Sequence, residues 1–125
     1  MKVEISNGDL IDKLTILEIK FKKIQSQSKI ENISRELKYL QTICYHLLLV
    51  DGIQNLYSEL IDINNKLWTI EDKIRQKEKQ KIFDQEFIEL ARQVYFTNDH
   101  RAQIKKDINM ITESNFIEEK SYEEY

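Results

Sequence analysis

Proline is absent from this 125-residue chain, and glycine occurs only at Gly8 and Gly52. A sheet protein of this size needs many reversals, and reversals draw on glycine, proline, asparagine and aspartate; long helices need few. Cysteine is represented by Cys44 alone, which excludes an intrachain disulfide framework and fits a reducing compartment. No apolar stretch follows Met1-Lys2-Val3-Glu4, so no signal peptide is expected. The longest purely apolar run, residues 47–50, falls far short of the roughly 20 residues a membrane span needs. The expected setting is therefore cytoplasmic, with no membrane span. Excess positive charge is missing too. A net charge of −3 and a pI near 5.5 argue against nucleic acid as a partner. The short lysine runs Lys20, Lys22, Lys23 and Lys77, Lys79, Lys81 fit solvated helix faces.

What the chain has in quantity is helical periodicity. Leu10, Leu14, Leu17, Phe21 and Ile24 alternate steps of four and three, as do Ile30, Ile33, Leu37, Leu40, Cys44 and Leu47. Ile53, Leu56, Leu60, Ile63, Leu67, Ile70 and Ile74 repeat the pattern. This is the seam of a bundle or coiled coil. Strand-like alternation is confined to Val3-Glu4-Ile5. The spacing predicts an all-α fold in one domain, residues 1–125: an antiparallel bundle of four to five helices built from long helical hairpins.

Ser6 is a plausible N-cap for a first helix over about 7–25, with Asp9 completing a capping-box-like pair. Gln25-Ser26-Gln27-Ser28 separates it from a second helix near 29–50, and Asp51-Gly52 from a third near 53–80. A fourth carries Phe87, Leu90, Ala91 and Val94. Thr97-Asn98-Asp99 offers capping residues for a fifth, on which Ile104, Ile108 and Ile111 continue the apolar face; the junction either breaks the helix there or only kinks it. The third helix would be about 40 Å long, about the width of a protein this size, so part of its seam is expected to be covered by a second copy in a homodimer.

Two polar groups stand out. Asn64, Trp68, Glu71, Arg75 and Glu78 follow steps of four and three along one face of the third helix. They form either a salt-bridge ladder with Trp68 at the core margin, or a wall facing Arg92, Tyr95 and Asn98 across a groove. The second group gathers Asn98, Asp99, Arg101 and Lys105 around the expected helix start. Free N–H groups and guanidinium forks there would favour an anionic ligand, unless Arg101 and Lys105 pair with Asp99, Asp107 or the acidic C-terminal residues.

Metal and nucleophile chemistry find little support. Cys44 and His46 lie two apart, on different helix faces, and His100 is distant; no metal site and no cofactor are expected. Glu59-x-x-Asp62, Glu71-Asp72 and Glu86-x-x-Glu89 are similar to the helical carboxylate pairs of all-α nucleotide pyrophosphohydrolases. Such pairs arise readily by chance in a chain with 22 acids. The spacing of a small pericyclic enzyme of the chorismate mutase type is not visible, nor is a glycine-rich phosphate loop.

Several segments resemble a bacterial and phage family of small proteins, a domain of unknown function. They are SNGDLIDKLTILEIK at 6–20, LWTIEDKIRQKE at 67–78, FDQEFIELARQVYFTND at 83–99, RAQIKKDIN at 101–109 and IEEKSY at 117–122. Where members carry a proline-containing loop between the second and third helices, this chain has Asp51-Gly52. The resemblance implies functional weight for Trp68, Glu71, Asp72, Arg75, Arg92, Tyr95, Asn98, Asp99, Arg101 and Lys105. It also implies a link with surface-glycan biosynthesis, through neighbouring glycosyltransferase genes.

Together these features point to an accessory or interaction module whose polar groove engages a protein partner or an anionic small molecule. The alternative is a small all-α enzyme acting on a phosphorylated or carboxylated metabolite, such as a nucleotide or sugar nucleotide.

Overall fold

The computed structural model describes residues 1–113, and over them the fold is all-α with no strand. Four helices follow in order: α1 Asn7–Lys23, α2 Gln27–Leu48, α3 Ile53–Gln80 and α4 Gln85–Ile111. The first three lie within two residues of the boundaries that the apolar spacing predicts. Ser6 caps α1, its hydroxyl accepting from the Asp9 N–H at 3.1 Å. Gly52, at φ 89°, takes the left-handed turn between α2 and α3 that a side chain would resist.

The α3–α4 reversal is made without glycine. Lys81 adopts a left-handed conformation at φ 57°, and the Ile82 N–H reaches back to the Lys77 carbonyl at 2.9 Å, the wrapped ending usual for a helix C-terminus. Asp84 then caps α4 by accepting from the Phe87 N–H at 3.0 Å. The same carboxylate takes the Lys77 ammonium at 3.0 Å, so the turn is pinned from both helices.

α1 is the central helix. It packs against each of the other three, whereas α2 barely meets α3. Its Ile11 enters a core with Ile53, Leu60 and Ile63 of α3 and Ile104 and Ile108 of α4. On another side, Leu14 and Leu17 pack with Leu37, Leu40 and Cys44 of α2. Leu48 and Tyr57 touch both clusters and join them. Cys44 is sealed, as its seam position predicts, and burial pushes its thiol up to about 11, which keeps it protonated and unreactive.

Over the described residues the bundle has the smaller of the two expected helix numbers. No fifth helix starts at Thr97-Asn98-Asp99, because α4 runs unbroken through those residues. Leu90, Val94, Thr97, Arg101, Ile104 and Ile108 keep one seam across the expected junction, and Thr97 is buried within it. Packing against α3 overrides the local preference of threonine, asparagine and aspartate for a helix start. The backbone N–H groups at Asn98 and Asp99 are interior to a helix. They cannot form the anion-binding terminus that the capping residues suggested.

Candidate functional site

The site is founded on a polar network that crosses three helices. Asp12 of α1 is buried, 5% exposed, in the midst of the apolar face. Its carboxylate accepts from Arg101 of α4 through Nε at 2.9 Å and also through Nη2, a two-point pairing. Asn64 of α3 donates one amide hydrogen to Asp12 Oδ1 at 2.9 Å and the other to Thr15 Oγ1 at 2.8 Å. Thr15 in turn donates to the Asp12 backbone carbonyl. A carboxylate this far from water persists only when paired and hydrogen-bonded, and here it has three side-chain hydrogen bonds.

Immediately beside the network lies a groove of about 350 Å³, lined by Ile16, Ile19, Asn64, Leu67, Trp68, Glu71, Asp72, Arg75 and Arg101. Its size falls at the lower end of small-molecule sites, roughly 300–1,000 Å³. Ile16, Ile19 and Leu67 provide apolar surface and the half-buried Trp68 a flat aromatic one. Glu71, Asp72 and Arg75 stand on the next turns of α3, Glu71 and Arg75 in a loose pair at 3.4 Å. The spacing of the α3 stripe thus does bring Asn64, Trp68, Glu71 and Arg75 to one wall, with Arg101 opposite.

The remaining sequence-derived residues lie elsewhere on α4. Arg92 is half-exposed, pairs with Glu89 at 3.7 Å and stands over the Phe96 ring at 5.8 Å. Tyr95 is exposed, its ring 5.0 Å from that of Phe96. Asn98 and Asp99 are half-buried and do not line the groove. Lys105, one turn beyond Arg101, binds Asp9 at 2.7 Å. Arg101 pairs with Asp12 and Lys105 with Asp9, both carboxylates of α1 that the sequence reading did not offer as partners. The C-terminal acids, and the segment 117–122, lie outside the described residues.

Lys105 belongs to a second polar contact, at the start of α1. The Gly8 N–H donates to Asn109 Oδ1 at 2.6 Å, and Asn7 donates to Thr112 at 2.9 Å. Burial works against the charged form of Asp9, but Lys105, Ser6 and Arg101 outweigh it and hold the carboxyl below its ordinary 3.8. The folded state therefore favours the ionised form. That contribution is complete above about pH 4 and is lost as pH falls through the depressed value. In Lys105→Met the Asp9 titration, followed by carboxyl-carbon NMR, is expected to move upward, and the acid limb of the stability curve to shift with it.

Asp12 is the residue that sequence reasoning missed. The available signal was a charged side chain flanked by Ile11 and Leu14 and sharing a helix face with Thr15, Ile16 and Ile19, a position that demands a partner. Among the described residues no group of three or more histidine, cysteine, aspartate or glutamate side chains could hold a metal ion. Among the described residues no helix is long and apolar enough to cross a membrane.

Over the described residues, the fold and the groove define an all-helical protein of four helices with a charge-lined cleft among α1, α3 and α4. Residues 1–125 match the family described as a family of unknown function, DUF6165, and the chain belongs to it. No curated protein and no solved structure matches the chain.

Proposed function

We propose that this protein is a cytoplasmic accessory module that presents the α1–α3–α4 groove to a small ligand or to a side chain of a partner protein. The observation that carries this reading is the groove itself. An aromatic plane and apolar floor sit beside polar groups held in place by a buried network, which is the composition of a recognition site. A catalytic reading would call for several buried, mutually perturbed titratable groups around a reacting atom. The groove instead combines one buried ion pair with solvated carboxylates, a pattern suited to binding.

The anion reading has lost its helix terminus and rests on Arg75 and Arg101 alone, each beside a carboxylate. The link to surface-glycan synthesis rests on the resemblance, and a glycosyltransferase is the natural partner to try first. Self-association finds its support on α2. Tyr39, Ile43 and Tyr45 are exposed on it and Leu49 just past its C-terminal end, Tyr39 and Leu49 by about two thirds. Sedimentation of wild type against Tyr39→Glu/Leu49→Glu tests it, with a dimer expected to become a monomer; a wild-type monomer across micromolar concentrations removes the dimer.

Trp68 is the only tryptophan, so its emission reports on the groove without a label. A panel of nucleotides, sugar nucleotides, free sugars, phosphate and amines is expected to contain at least one member that shifts Trp68 emission saturably. That member should also raise the melting temperature, since a ligand of the native state alone stabilises it. A panel that leaves both unchanged defeats the binding reading.

A further inference from the structure

The groove's own chemistry selects among ligands, granted the binding reading above. Both amide hydrogens of Asn64 are committed, to Asp12 and to Thr15. Its carbonyl oxygen has no hydrogen-bond partner among the described residues, although the residue is only 6% exposed and lines the groove. It is not sealed in the interior either; among the described residues the one fully enclosed side-chain atom left without a partner is Nδ2 of Asn109. The Asn64 carbonyl is therefore a nearly buried acceptor facing the groove.

The charges agree with it. Asp72 forms no ion pair among the described residues, and Glu71 holds only Arg75, whose side chain is 80% exposed, at 3.4 Å. Arg101 is matched by Asp12 behind it. Counting Asp12, three carboxylates face two guanidiniums, Arg75 and Arg101, and the open positions at Asn64 and Asp72 are acceptors. An anion or a plain hydrogen-bond acceptor would meet like groups there. A donor-rich cation would meet complementary ones, with the Trp68 face as an additional cation-attracting surface.

We infer that the groove recognises an organic cation, an alkylammonium or guanidinium group, laid against Trp68 with its N–H donors on the Asn64 carbonyl and the Asp72 and Glu71 carboxylates. The group can belong to a free amine or to an arginine or lysine of a partner chain.

Agmatine, which carries both groups, is the probe for the free amine. A tripeptide with arginine between two glycines, N-acetylated and C-amidated, is the probe for the partner chain. Each is titrated against Trp68 emission in parallel with inorganic phosphate and glucose. A saturable response to agmatine or to the peptide is expected, weakened about tenfold by Asp72→Asn and unchanged by Asp62→Asn, which removes a similar exposed charge elsewhere on α3. Tighter binding of agmatine assigns the site to small amines, and tighter binding of the peptide assigns it to a partner's side chain; either supports the inference. A response to phosphate or glucose with none to the two cations overturns it while leaving the binding reading intact. So does cation binding that Asp72→Asn leaves unchanged. Silence from these four probes and from the wider panel overturns both.

Discussion

Replacing Asp12 with alanine is expected to destabilise the protein by about 3–5 kcal/mol, the cost typical of breaking a buried ion pair from one side. The substitution removes the Asp12 carboxylate from Arg101 and leaves Asn64 with one amide hydrogen facing the cavity. The Arg101 side chain is 26% exposed, so it can swing partly into water, which places the loss toward the lower end of that range. For a domain of this length the melting temperature should fall by about 10–20 °C. Arg101→Ala leaves Asp12 buried and unpaired, and the double variant should cost much less than the two single losses added together. Arg92→Ala is the surface control. Its pair with Glu89 is half-exposed, and its removal should cost less than about 1 kcal/mol. Denaturant melts at constant slope would measure all four. A loss below 1 kcal/mol for Asp12→Ala would mean that the pair is solvated, and the groove would lose its rigid back wall.

The seams that located three helices were legible because they depend on local repetition alone. Heptad-like steps specify which residues share a face, and the break at Asp51-Gly52 coincides with the one glycine that adopts a left-handed conformation. Taken in isolation, Thr97, Asn98 and Asp99 are capping residues, which is why the sequence leaves a choice between four helices and five. Their positions in the Leu90-to-Ile108 seam carried the stronger information. A polar residue on a seam is not a break in it; Thr97 and Arg101 are core-facing positions whose partners lie on other helices.

The site divides in the same way. Trp68, Glu71 and Arg75 were recognisable because one helix face holds them together by spacing. Joining them to Arg92 and Tyr95 required knowing which face of α4 turns toward the groove, and no periodicity within α3 reveals that. Arg101 was singled out as a binder of external anions, yet 89 positions separate it from the internal carboxylate it binds. The pairing is fixed by α1 lying between α2 and the α3–α4 hairpin, a tertiary fact.

Gly8→Ala carries the other large expected effect, and two opposing contributions decide its sign. Alanine in a helix is favoured over glycine by about 1 kcal/mol, so a purely local account predicts stabilisation. Packing predicts the reverse. A Cβ at Gly8 would run into the Lys105 backbone carbonyl oxygen and sit 3.0 Å from Asn109 Oδ1. A helix backbone cannot yield as a flexible side-chain end does, so α1 must back away from α4. That movement would weaken the 2.6 Å hydrogen bond from the Gly8 N–H to Asn109, whose buried amide nitrogen is already unpartnered, and would loosen Lys105 from Asp9. Overpacking typically costs about 1–3 kcal/mol, and loss of a buried hydrogen bond adds about 1 kcal/mol or more. The net expectation is a loss of about 1–3 kcal/mol after the helix preference is deducted. Amide exchange should then show protection falling first at Gly8 and Asp9, ahead of the core residues of α3, because the clash acts at the start of α1. A Gly8→Ala protein as stable as wild type would show that α1 and α4 tolerate a wider separation, and with it that the Asp12–Arg101 geometry is not held by close approach at Gly8.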